Sequence, residues 1–74
     1  CIDEIFSEIF HRPQKGEKSL RLTATEIVKE MKKKYRNIAV NNSNIMRVGH
    51  ILNRQRYNMI RGNARHYDVA MNNK

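Results

Sequence analysis

The apolar residues change their period part-way along the chain, and that change constrains the fold more than any other feature. Up to residue 55 they recur at helical spacing in three separate stripes, and from Tyr57 onward they alternate. A chain of 74 residues has room for one modest core. Three amphipathic helices and a small sheet must therefore share it.

Ile2, Ile5, Phe6, Ile9 and Phe10 form the first stripe, with Asp3, Glu4, Ser7 and Glu8 on the other face. Acids in the first turn also suit the positive end of the helix dipole. Pro13 and Gly16 end this helix, and residues 12–19 read as an exposed polar loop. Leu20-Arg21-Leu22 alternates in, out, in, enough for a very short strand. Thr23-Ala24-Thr25-Glu26 matches a capping box, in which Thr and Glu each satisfy the other's backbone N–H. Behind it Ala24, Ile27, Val28, Met31 and Tyr35 fall within about 100° of arc. Lys29, Lys32 and Lys33 point away. The Lys32-Lys33-Lys34 run reads as a solvated helix terminus in preference to a phosphate clamp.

In the connector, residues 36–42, Ile38 and Val40 are expected to dip into the core, and Asn41, Asn42 and Ser43 offer N-cap chemistry for a third helix over residues 43–55. On that helix Ile45, Val48, Gly49 and Leu52 read as the inner side. Asn44, Arg47, His50 and Arg54 gather opposite, with Ile51 intruding beside Arg47. Gly49 costs about 1 kcal/mol of helix stability relative to Ala, so close packing against the second helix is expected there. Residues 57–71 read as a hairpin: Tyr57 and Met59 share one face, and Tyr67, Val69 and Met71 share one face of the partner strand. Between them, Arg61-Gly62-Asn63-Ala64-Arg65 offers Gly-Asn for positive φ in a tight turn. Residues 72–74 read as a frayed end.

Charge divides the chain differently. Residues 1–30 hold five bases and six acids, whereas residues 31–74 hold ten bases and one acid, Asp68. The net charge of +8 suits a polyanionic partner. No apolar run approaches the roughly 18 residues that span a bilayer, and no signal-peptide core is present, so a membrane is not an expected partner. A start at Cys1 without Met suggests a C-terminal fragment of a larger protein, and a single cysteine fits a reducing cytoplasm. His11, His50 and His66 are widely separated, with no zinc-site spacing. Scattered acids give no acid–base pair, and no phosphate-cradling Gly-rich Lys loop exists. Neither metal, cofactor nor catalysis is therefore expected. Tyr35, Tyr57 and Tyr67 read as core or rim aromatics.

The order helix, short strand, helix, helix, hairpin is that of a winged helix-turn-helix, an α+β fold that is mainly α, here expected as a single domain over residues 1–74. The resemblance is carried by Leu22-Thr23-Ala24-Thr25-Glu26-Ile27 at the second helix, by Val48-Gly49-His50-Ile51-Leu52 with Arg54-Gln55-Arg56 at the recognition helix, and by Arg61 to Val69 at the wing. More narrowly, the Leu-Thr-Ala-Thr-Glu start and the Gly-x-x-Leu passage into an Arg-rich hairpin resemble the C-terminal domain of unassigned function of virulence-associated E-like proteins. These are primase–helicase ATPases of phages and mobile elements. The resemblance implies a DNA-binding module tethered to such an ATPase. It places Asn44, Arg47, His50 and Arg54 at the groove and Arg61 and Arg65 on backbone phosphate, with Arg56 a further phosphate contact by its charge. Ile51 and the short wing favour backbone grip over base reading. A protein-docking or structural capping module of the same parent is the alternative.

Overall fold

Thr23 begins its helix as the capping box requires. In a computed structural model, which describes residues 1–72, Thr23 Oγ1 accepts from the Glu26 N–H at 3.1 Å and Glu26 Oε1 accepts from the Thr23 N–H at 2.8 Å. The elements are α1 (Ile2–Ile9), β1 (Phe10–His11), β2 (Leu20–Leu22), α2 (Ala24–Lys34), α3 (Asn42–Arg54), β3 (Met59–Ile60) and β4 (His66–Met71). They make an α+β fold of three helices and a small antiparallel sheet.

The helices cover one face of the sheet. Phe6, Ile9, Ile27, Val28, Met31, Val48, Ile51, Leu52, Tyr57, Tyr67 and Val69 form a continuous buried cluster, with the Phe6 and Tyr57 rings edge-on at 5.7 Å. Helix α3 is capped by Asn41, whose Oδ1 accepts from the Asn44 N–H at 2.9 Å. Lys32 Nζ donates to the Arg36 and Ile38 carbonyls, so one lysine of the basic run closes the α2 terminus. Its partners are backbone, which fits a structural role.

Strand β4 is the spine of the sheet. Tyr67 pairs with Leu22 of β2 and with Met59 of β3, so these two strands lie on opposite edges. Strand β1 pairs farther along β4, at Phe10↔Met71 and His11↔Ala70, on the β3 edge. β1 is absent from the sequence reading because Phe10 is buried whether it ends a helix or starts a strand. Only its extended backbone, φ −125° and ψ 154°, decides.

Several expectations are corrected. Ile51 is 1 % exposed and belongs to the core, not to a polar face. Val40 is 38 % exposed and stays outside, while Ile38 is buried as expected. Leu20 and Met71 have the inward parity of Val69 but lie beyond the cover of the helices, at 44 % and 43 % exposed. Gly49 meets no neighbour within 4 Å of where a Cβ would stand, so it is not a close-packing residue. Neither Gly62 nor Asn63 has positive φ. Pairing resumes at Ile60↔His66, and spreading the reversal over residues 61–65 removes the need for a left-handed residue. Asn72 is not frayed, since its N–H donates to the Ile9 carbonyl at 2.7 Å. The remainder of that expectation, residues 73–74, lies outside the described residues.

Left-handed backbone is used elsewhere. Arg56 has φ 61° just after α3, with Tyr57 N–H donating to Leu52 O at 2.9 Å and Arg56 N–H to Asn53 O at 3.1 Å. This is a Schellman motif with arginine where glycine is usual.

Candidate nucleic-acid interface

The inner side of α3 is Val48, Ile51 and Leu52, with Ile45 half-buried beside them. Compared with the periodic reading, the helix is turned by about 45° at 100° per residue. Its outward ridge is therefore Met46, His50 and Asn53, with Arg47 and Arg54 on the flank facing α1. Met46, 63 % exposed, was missed because neither the apolar nor the polar set claimed it. The signal was present, since Met46, His50 and Asn53 lie within about 60° of one another.

Two shallow hollows adjoin this ridge. One, about 440 Å³, lies between the start of α1 and α3 and is lined by Ile2, Asp3, Ser43, Asn44, Arg47 and by Met46 and His50. The other, about 270 Å³, lies between α3 and the β3–β4 hairpin, lined by Ala24, Gly49, Asn53, Arg65, Tyr67 and again Met46 and His50. Met46 and His50 border both. Gly49 forms part of the second hollow because it carries no side chain.

The seven anticipated contact residues divide among these features. Asn44, Arg47 and His50 meet in the first hollow, and His50 and Arg65 in the second. Asn44 Nδ2 donates to the Ala39 carbonyl at 2.8 Å, so that side chain braces the connector. Arg61 stands exposed in the loop 61–65 and lines neither hollow. Arg56 lines a separate cleft on the other side of the sheet. Arg54 also lines neither, being drawn towards α1.

Asp3 of α1 holds two of the arginines. Its Oδ1 accepts from Arg47 Nε at 2.7 Å and its Oδ2 from Arg54 Nη2 at 3.2 Å. The Arg47 bond, followed by that of Arg54, keeps the Asp3 carboxyl below its ordinary range against some desolvation, and Asp3 raises Arg47 in return. The two arginines are exposed while Asp3 is half-buried, and pairs of this kind contribute little to stability. Asp3 thus holds Arg47 and Arg54 on the flank of α3 that faces α1.

At the far end of α1, Tyr35 Oη donates to Glu8 Oε1, and this bond raises the Tyr35 hydroxyl above its usual range. That contact ties α2 to α1 away from the hollows. Among the described residues no cluster of His, Cys, Asp or Glu is placed to hold a metal ion, and no helix is long and apolar enough to cross a membrane.

Residues 1–66 match the DUF3874 family, described as a domain of unknown function from a B. Theta gene description. The match stops at the first residue of β4 and leaves the rest of that strand outside it. This chain belongs to the DUF3874 family. No curated protein and no solved structure matches it. The DUF3874 match takes in α1, α2, α3, the hairpin loop and the first residue of β4, and hence most of both hollows.

Proposed function

We propose that this domain is a winged helix-turn-helix that binds nucleic acid, duplex DNA in particular, with α3 as its groove helix and residues 61–65 as its wing. In this reading it is tethered to a primase–helicase ATPase of the virulence-associated E-like kind, catalysis resides elsewhere in that parent, and the setting is cytoplasmic. One observation carries the proposal. The outward ridge of α3 and the basic hairpin border one hollow, and among the described residues lining it there is no carboxylate.

Its chemistry favours phosphate over bases. Arg61 and Arg65 have no ion-pair partner among the described residues, and they need only reach backbone oxygens. Base reading asks for side chains such as Arg or Asn presented at fixed angles. On the ridge only Asn53 and His50 are candidates, next to an apolar Met46. The partner is therefore gripped with little discrimination.

The test is a titration of the domain with duplex and single-stranded oligonucleotides, following backbone amides. Shifts confined to α3 and residues 61–65, together with a duplex preference, support the proposal. Absence of any shift there at low salt overturns it. Met46 at 63 % exposure favours the second reading, docking onto another domain of the parent. It predicts shifts on the α1–α3 hollow with a parent fragment and none with DNA.

A further inference from the structure

Residues 12–19 carry the chain from β1 on one edge of β4 to β2 on the other, so they cross the outer face of the sheet. Ala70 has outward parity yet is buried, as this crossing explains. The crossing is pinned at Gly16, φ 82°, where the Glu17 N–H donates to the Gln14 carbonyl at 2.9 Å. Between it and the entry to β3 lies an open cleft of about 680 Å³, within the range of small-ligand sites.

Arg12 and Lys15 border this cleft from the crossing, and Arg56 borders it from the end of α3. Among the described residues none of the three forms an ion pair. The one carboxylate on the cleft, Asp68, is already engaged. Its Oδ1 accepts from Arg21 Nε at 3.4 Å and its Oδ2 from Asn58 Nδ2 at 3.0 Å. The cleft therefore carries three cations with no ion pair of their own against one carboxylate, which Arg21 partners from outside it.

Arg56 supplies an independent sign. It is the only non-glycine residue with positive φ among the described residues. The Schellman motif needs that backbone, and glycine would supply it with less strain. What glycine would lack is the guanidinium, and Arg56 is a residue that lines the cleft. Arg12 adds a second one nearby. Its charge draws down the Tyr57 hydroxyl, although burial dominates and raises that group.

We propose that this cleft binds a phosphate group, held by Arg12 and Arg56 with Lys15 as an added charge. Planar guanidinium groups match pairs of phosphate oxygens, and a lysine ammonium adds a point charge. Ser19 also borders the cleft and can donate its hydroxyl. The site lies across the sheet from the α3 hollows and does not depend on the reading given to them.

Pyrophosphate tests it, with sodium chloride at matched ionic strength as the control. The 74-residue chain should show saturable amide shifts in residues 14–19 and 56–58, and chloride should not reproduce them. Arg56→Gly relieves the left-handed strain and retains the fold, yet should raise the half-saturating concentration at least tenfold. Arg12→Gln, an exposed change, should do the same. No saturable shift at these amides, or unchanged saturation in both variants, overturns the proposal. A duplex oligonucleotide run in parallel identifies the source. Competition with pyrophosphate at these amides assigns the phosphate to a polynucleotide backbone, and shifts with pyrophosphate alone assign it to a small ligand. Amides of α3 and residues 61–65 report the other surface, so the two outcomes are read separately.

Discussion

At the scale of single residues, Gly49 and Arg56 show backbone economy set aside. Gly49 lies within α3, where Ala is better by about 1 kcal/mol, and nothing stands within 4 Å of a new methyl. Gly49→Ala should therefore raise the thermal midpoint by roughly 4–8 °C in a domain of this size. Under the DNA-binding proposal it should also weaken duplex affinity, because the methyl enters the α3–hairpin hollow. Calorimetry and a binding titration on one variant check both halves. Arg56→Gly should likewise stabilise, by on the order of 1 kcal/mol, as a left-handed arginine is replaced. Gly49 was legible as a cost but not as a surface residue. Spacing cannot distinguish a glycine that admits a neighbour from one that leaves space open. Counting it as apolar, and Ile51 as an intruder, turned the inferred face of α3 away from Met46. The Thr23–Glu26 capping box was fully legible, since its partners lie three residues apart and need no tertiary information.

At the scale of elements, contacts across long sequence separations decide what the periodicities could not. Asp3 and Arg47 are far apart in sequence, and no pattern joins α1 to α3 through them. The DNA-binding proposal makes Asp3 a competitor for the two arginines. Asp3→Asn should then raise duplex affinity by roughly two- to tenfold at low salt, while unfolding stability changes little, as exposed pairs contribute little. Equal affinity for wild type and variant would place Arg47 and Arg54 outside the interface. The His11 link is equally invisible in sequence. Asn72 Nδ2 donates to the Ser7 and Glu8 carbonyls, which leaves Oδ1 to face His11 Nδ1, while His11 Nε2 meets Glu17 Oε2 at 2.8 Å. Both ring nitrogens face acceptors, so the network assigns His11 as the imidazolium. Asn72 first and Glu17 second raise its pKa above the ordinary 6.5. The backbone N–H of Gln14, then His11, hold Glu17 below its ordinary 4.5. A raised folded pKa gives stability that is complete below 6.5 and is lost as pH climbs through the folded value. The thermal midpoint should thus fall on passing upward from pH 6.5, and His11→Gln should flatten that fall.

At the scale of the whole molecule, helix count, element order and most of the core were readable because three helical stripes precede an alternating segment. The four-strand sheet was not, because β1 is two residues long and hides at the end of an apolar stripe. Charge was readable as a sum but not as a distribution. Of the basic residues after residue 30, Lys32 closes a helix, Lys33 pairs with Glu30 at 2.9 Å, and Arg47 and Arg54 pair with Asp3. Arg61 and Arg65 stand at the hairpin without an ion pair among the described residues, and Arg56 lines the cleft across the sheet. A grip of this kind acts through phosphate and hence through released counterions. The most direct test is duplex affinity measured across salt concentrations, for wild type and for the Arg61→Gln, Arg65→Gln double variant. The account predicts a plot of log affinity against log salt with a slope of about −2 or steeper, made shallower by close to 2 in the variant. Binding that stays flat from low to physiological salt, or a slope the double variant leaves unchanged, would contradict it.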